Sequence, residues 1–149
     1  MRRPGRIALI LAAVAVFLAI SFELARFLTA ESNERGQVYS LLRAQARGDA
    51  AEMLTRLSGC RTDPLCRAQV RANARQLHRR GEVKILAYRS TTAYALGSET
   101  GTTRVAWTVI GRGLPVVQCV TVRRSGSVLA ARSVTLLRLS APIAREGSC

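Results

Sequence analysis

A chain of 149 residues with a formal net charge of +14 holds about one domain once its apolar N-terminus is set aside. From Glu31 onward, 19 basic residues stand against 8 acidic ones, a net +11, so the soluble part is drawn to polyanions. The composition argues against nucleic acid as that partner, because the one Trp, three Tyr and three Phe do not interleave with the arginines as base stacking requires.

Arg2, Arg3 and Arg6 precede an uncharged run of 16 residues from Ile7 to Phe22. As helix that run covers about 24 Å, short of a hydrocarbon core of about 30 Å. The span is therefore expected to continue to Leu28, with Glu23 and Arg26 pairing in its last turns and snorkelling outward. Apolar residues cover every side of it, unlike the one-sided stripe of a surface helix. The basic tail 1–6 is expected in the cytoplasm, 7–30 as a single-pass signal-anchor helix in the cell membrane, and 31–149 as an extracytoplasmic domain. A cleaved signal peptide is the alternative. Its best cleavage site, Leu28-Thr29-Ala30, places a bulky Leu where a small residue is wanted.

Glu31-Ser32-Asn33-Glu34 is a short polar juxtamembrane piece, and a helix is expected to begin near it, with Val38, Leu41, Leu42 and Gln45 at helical spacing. Gly48-Asp49 breaks that helix. Arg47-Gly48-Asp49 also spells an adhesion tripeptide, but a helix stop followed by a helix cap accounts for it. Asp49 with Glu52 predicts a capping box for a second helix, whose stripe is Ala50, Met53, Leu54 and Leu57 and which Ser58-Gly59 ends. Asp63-Pro64 opens a third helix, expected to run to about Arg80, where Gly81 stops it. Cys66, Val70, Asn73 and Leu77 face one way on it. Arg67, Arg71 and Arg75 face the other, with Arg79 drifting round.

From Val83 the period changes to two. A first strand opens at Val83 and is read as continuing, bent, through Tyr94 to Leu96. Gly97 to Thr102 is read as a turn, Arg104 to Ile110 as a second strand and Gly111-Arg112-Gly113 as a turn. Pro115 to Arg124 is the third strand, Ser125-Gly126-Ser127 a tight hairpin and Val128 to Leu139 the last strand. Short connections throughout predict an antiparallel meander, and helices followed by a meander make an α+β plan.

Four cysteines behind an export signal are read as disulfides. Three pairings are open. Cys60 with Cys66, pinning the loop between helices two and three, and Cys119 with Cys149, tying the tail to the third strand, are favoured. A free thiol or metal role at Cys60 and Cys66 lacks a second Cys or His pair at zinc-finger spacing.

Three stretches carry a family likeness: Leu41-Leu42-Arg43-Ala44 running into Arg47-Gly48-Asp49 and the Leu54/Leu57 helix, Arg104-Val105-Ala106-Trp107, and Val117-Gln118-Cys119-Val120-Thr121-Val122 before the last hairpin. On these the chain, from about Gln37 to Ser140, resembles the NTF2-like superfamily in its membrane-anchored actinobacterial form. The resemblance implies a cone, with a curved sheet wrapped round helices and a pocket at the open end. Catalytic relatives place acids, His or Tyr there. Here the predicted strands carry no Asp, and Glu99 falls in a predicted turn, so a non-enzymatic role is expected.

The candidate sites are correspondingly few. Arg67, Arg71, Arg75 and Arg79 form a candidate docking stripe for anionic lipid or cell-wall polymer, weighed against a solvated helix face. Trp107, with Val105 and Val109 on its own face, is a core residue first and a pocket-lining one second. His78, the sole histidine, sits beside Arg79 and Arg80 and reads as a surface residue rather than half of a Cys/His pair. No P-loop, dinucleotide fingerprint, nucleophile elbow or paired-His metal helix is present, so neither a cofactor nor a metal is expected. The leading expectation is an accessory domain binding a partner protein in an envelope complex. A pocket for a small apolar ligand or lipid is the second. A pilin-like structural subunit is the third, set back by Pro4-Gly5-Arg6 before the apolar run, by Glu23 at its end rather than its start, and by the break at Gly48.

Overall fold

The structure, a computed structural model, describes residues 3–91, 98–126 and 133–149. The expected bend through Tyr94 to Leu96, Gly97, Ser127 and the strand start at Val128 lie outside the described residues, as does the side chain of Arg26, the expected partner of Glu23.

Helix α1 (Arg3–Ala46) is one unbroken run of 44 residues. The expected restart near Glu31 is therefore corrected: the helix runs through residues 31–34 without a break, because a helix already running needs Gly or Pro chemistry to stop it. The stop comes at Gly48, whose φ of 75° lets the Gly48 and Asp49 amides fold back onto the carbonyls of Gln45 and Ala44, both at 2.9 Å. Within α1, Ile7–Ala25 is 19 residues of mean hydropathy 2.6, long and apolar enough to cross a membrane. Its side chains are all exposed, whereas from Val38 onward the helix turns one face into a core.

Helix α2 (Ala50–Arg56) starts on the Asp49 carboxylate, which accepts from the Glu52 amide at 2.9 Å. Only this half of the expected capping box is seen in the described bonds, since the Glu52 carboxylate pairs with Arg47 and Arg56. A 3-10 turn (Ser58–Cys60) follows, then α3 (Pro64–Gln76), capped by Asp63 on the amides of Leu65 (2.9 Å) and Cys66 (3.1 Å). Helix α3 stops short of the expected Arg80. The Arg79 amide donates to the Ala46 carbonyl at the end of α1, at 2.9 Å, which draws the chain off the helix axis.

The sheet is an antiparallel meander of β1 (Val83–Ser90), β2 (Glu99–Val109), β3 (Arg112–Ser125) and β4 (Ser133–Leu139), in that spatial order. Two expected turns shrink. Residues 99–102 are strand rather than turn, because they pair with Thr121 to Arg124 of β3, while Thr91 exchanges hydrogen bonds with Thr102 just past Ser90. The β2–β3 turn is Ile110-Gly111, with Gly111 at φ 73°, so β3 resumes at Arg112 instead of Pro115.

The helices cover one face of this sheet. Val38, Leu41, Leu42, Met53, Leu57 and Val70 pack on Val105, Trp107, Val109, Val120, Val122 and Leu136, all at most 1% exposed. Each such side chain contributes about 1.5–3 kcal/mol by leaving water. Gly59 permits the closest approach. A Cβ there would meet the Leu137 carbonyl oxygen at 2.6 Å, so only glycine lets the 3-10 turn lie against β4.

Candidate functional site

Two buried polar clusters fix how α1 lies on the sheet. Glu34, Val38, Leu41, Leu42 and Gln45 share one helical face, so the carboxylate at the start of that row points at the sheet rather than at water. Strand alternation brings Thr103 to the face of Val105 and Trp107, and Arg124 to the face of Val120 and Val122. Glu34 Oε1 accepts from the Tyr88 hydroxyl and the Thr103 hydroxyl, both at 2.6 Å. Its Oε2 accepts from Arg124 Nε at 2.7 Å. Arg124 Nη2 lies 2.5 Å from Oε2 but outside hydrogen-bonding geometry, so at that atom the attraction is electrostatic alone.

Glu34 has no exposed surface and Arg124 is 3% exposed. Burial by itself would raise the Glu34 carboxyl. The donors Thr103, Tyr88 and Arg124, with the Arg124 charge, outweigh it and hold the group below its ordinary value of 4.5. Tyr88 is pushed well above its ordinary value, first by burial and then by donating to a carboxylate. The arrangement holds a carboxylate ionised and keeps both of its oxygens occupied. That is electrostatic fixation of a helix on a sheet.

The second cluster lies 11 residues farther along α1, about 16 Å at 1.5 Å per residue. Gln118 Oε1 accepts from Gln45 Nε2 and from the indole Nε1 of Trp107, each at 2.9 Å. Gln118 Nε2 donates to the Ser140 carbonyl at 3.0 Å, and Asn73 Nδ2 donates to the same oxygen at 2.9 Å. One glutamine thereby joins α1, β2, β3, α3 and the tail.

That tail runs back along β3, with Ser140 and Ile143 donating to the carbonyls of Cys119 (2.9 Å) and Val117 (2.8 Å). It is then held by Arg104, which donates to the carbonyls of Gly147 (2.8 Å) and Arg145. The cysteines pair as favoured: Cys60 with Cys66, and Cys119 with Cys149.

The arginine row divides. Arg67 donates to the Arg61 carbonyl at 2.7 Å. Arg79 lies past the end of α3 and donates to the Leu114 carbonyl at 3.0 Å. Arg71 and Arg75 alone remain as an exposed pair on the helix. Trp107, Val105 and Val109 are fully buried in the core. His78 is exposed.

Two open grooves of about 460 Å³ flank α1. One lies against β1, between Arg35, Tyr39, Val83 and Ile85, and one against α2 and β4, between Asn33, Gln37, Arg56 and Val134. Among the described residues no group of three or more His, Cys, Asp or Glu side chains could hold a metal ion.

Sequence reasoning missed the Glu34 cluster by assigning Glu34 to a juxtamembrane piece. The signal was present: extending the Val38, Leu41, Leu42 and Gln45 row back by four residues reaches it. Continuing the Val120, Val122 alternation by two reaches Arg124. Comparison with protein-family models, with curated proteins and with solved structures gives no match to this chain.

Proposed function

We propose that this chain is a membrane-anchored, extracytoplasmic, non-enzymatic accessory domain of NTF2-like architecture that binds a partner protein in an envelope complex. The observation that carries the reading is the tip of the β2–β3 hairpin. Ile110 is 56% and Leu114 72% exposed, although the interior below them is filled by Trp107, Val105 and Val109. The Arg79 bond to the Leu114 carbonyl steadies the tip. A pair of large apolar side chains held in water on a steadied turn suits a protein contact, and a filled interior supports it over an apolar ligand pocket. The N-terminal arginines ahead of the apolar run and the two disulfides support a position outside the cytoplasm.

The test places a photo-cross-linking amino acid at Leu114 in the full chain in intact membranes. The expected result is one discrete protein adduct that Ile110→Asp abolishes. No protein adduct, together with lipid co-purifying at one per chain, would transfer the assignment to the ligand-binding reading.

The unbroken α1 favours a second reading, a pilin-like subunit. Its apolar half projects beyond a domain built on its other half, with a disulfide at the C-terminal tail. Cross-links between the α1 apolar segments of neighbouring copies, in ladders of many chains, would distinguish it.

A further inference from the structure

We propose that the end of the sheet nearest the apolar segment is a docking rim for anionic lipid headgroups, with Arg35, Arg89 and Arg123 as its contacts. The inference rests on Ile7–Ala25 being a membrane span. It does not depend on which protein the domain binds.

The placement follows from α1. Because the helix is continuous, Glu34 stands nine residues past Ala25, about 14 Å along the axis. The two buried clusters then orient the sheet. Gln45 meets Trp107 and Gln118, and Glu34 meets Thr103 and Arg124, so moving from Trp107 toward Thr103 along β2 is moving toward the span. Strand β2 continues that way to Thr100, three residues or about 10 Å beyond Thr103, with Arg123 opposite it in the register. Most of the 14 Å is thereby recovered. The strand ends come within about a Debye length, 8–10 Å, of a headgroup layer that itself extends about 5–8 Å beyond the hydrocarbon.

The charges near this end suit that neighbour. Arg35, Arg89 and Arg123 are exposed. Arg123 stands opposite Thr100, whereas Arg35, one residue past Glu34, and Arg89, opposite Arg104, stand about 10–13 Å farther from the span, within about a Debye length of the headgroup layer. Arg35 lies over the Tyr88 ring at 5.8 Å and Arg123 Nε donates to Thr100 at 3.4 Å, and among the described residues neither has an acidic partner. Among the described residues Glu99, next to Thr100, is an exposed acid, and Glu34 is inside, already paired with Arg124. By contrast Asn73 sits at the level of Gln45 and Gln118, so the C-terminal half of α3 with Arg75 lies about 16 Å farther from the span, beyond screening distance. The arginines assigned to lipid are Arg35 of α1 and Arg89 and Arg123 of the strands, not those of α3.

The test uses the full chain reconstituted in vesicles of phosphatidylcholine with or without 30% phosphatidylglycerol, with a photo-cross-linking residue at Thr100 or at Arg75. Lipid adducts are expected at position 100 and not at 75. They should fall at least fivefold when phosphatidylglycerol is omitted, when salt is raised to about 0.5 M, or when Arg35, Arg89 and Arg123 are all changed to Gln, each arginine near an anionic surface being worth about that factor. The lipid and salt arms use the unaltered chain and stand even if the triple variant misfolds. Equal adducts at both positions, or adducts at 100 indifferent to charge and salt, overturn the rim while leaving the span intact. A chain that fails to float with the vesicles overturns the span and the rim with it.

Discussion

Glu34 of α1 and Arg124 of β3, ninety residues apart in sequence, form an ion pair with almost no exposed surface, Nε to Oε2 at 2.7 Å. Breaking such a pair from one side leaves a lone buried charge and costs about 3–5 kcal/mol, whereas replacing both partners by apolar residues of similar volume is often close to neutral. Glu34→Leu is therefore expected to lose about 3–5 kcal/mol in urea unfolding, and Glu34→Leu with Arg124→Met to regain only the part due to the unpaired Arg124 charge, because the Tyr88 and Thr103 hydroxyls still lack their acceptor. A double variant as unstable as the single one would show that the charges themselves, rather than their mutual cancellation, hold the helix.

The same carboxylate makes stability depend on acid. Its folded pKa is depressed below the ordinary 4.5, so the folded state binds the proton less readily than the unfolded chain does. Its contribution is present above the unfolded value and is lost as pH falls through the folded one. In denaturation series from pH 7 downward, the wild type should lose more stability below about pH 4.5 than Glu34→Gln, and the gap between the two should narrow. Parallel curves for the two proteins across that range would assign acid sensitivity elsewhere. Glu52 titrates in the same direction, because Arg56 and then Arg47 donate to it, but it lies at the surface, only partly covered, and serves as the comparison position.

Gln118 satisfies two buried donors with one oxygen, Trp107 Nε1 and Gln45 Nε2, both at 2.9 Å. Gln118→Leu leaves both unpartnered at that oxygen, and each buried orphan costs about 1–3 kcal/mol. The expected loss is about 3 kcal/mol, with a coupling of about 1 kcal/mol or more to Trp107→Phe in a double-variant cycle. Trp107 is the one tryptophan, so its emission reports the same event in the folded state. Additive losses would mean that the indole does not depend on this acceptor.

What could be read from sequence was local chemistry. Gly48 as a stop, Asp49 and Asp63 as caps and the order of strands follow from neighbours within a few residues, and the two cysteine pairs are the favoured of three open pairings. What could not be read needed two phases at once. Placing Glu34 against Arg124 requires the helical phase of α1 and the register of β3 against β2, and register is a property of the assembled sheet. The continuity of α1 was obscured because Glu31 to Glu34 look like a linker by composition, while nothing there breaks a helix already formed. The strand character of 99–102 was hidden for a related reason: a turn-like composition was overruled by pairing with residues 121–124 of β3.

The two disulfides should differ in what they contribute. Cys60 and Cys66 are six residues apart and Cys119 and Cys149 thirty, so in the chain-entropy account the second restricts the unfolded chain more. Removing the first pair as a Cys→Ala double variant is expected to cost about 2 kcal/mol, and removing the second about 4 kcal/mol. The second loss also has a local signature. With Cys149 unbonded, residues 144–149 keep the Arg104 bonds to the carbonyls of Arg145 and Gly147, so carboxypeptidase should trim the tail slowly in that variant and quickly once Arg104→Gln is added. Equal trimming with and without Arg104 would mean that the tail is held by the disulfide alone. A reversed order of the two stability losses would place the larger share of the effect in native packing around Cys60, which is fully buried, rather than in the length of chain each bond closes.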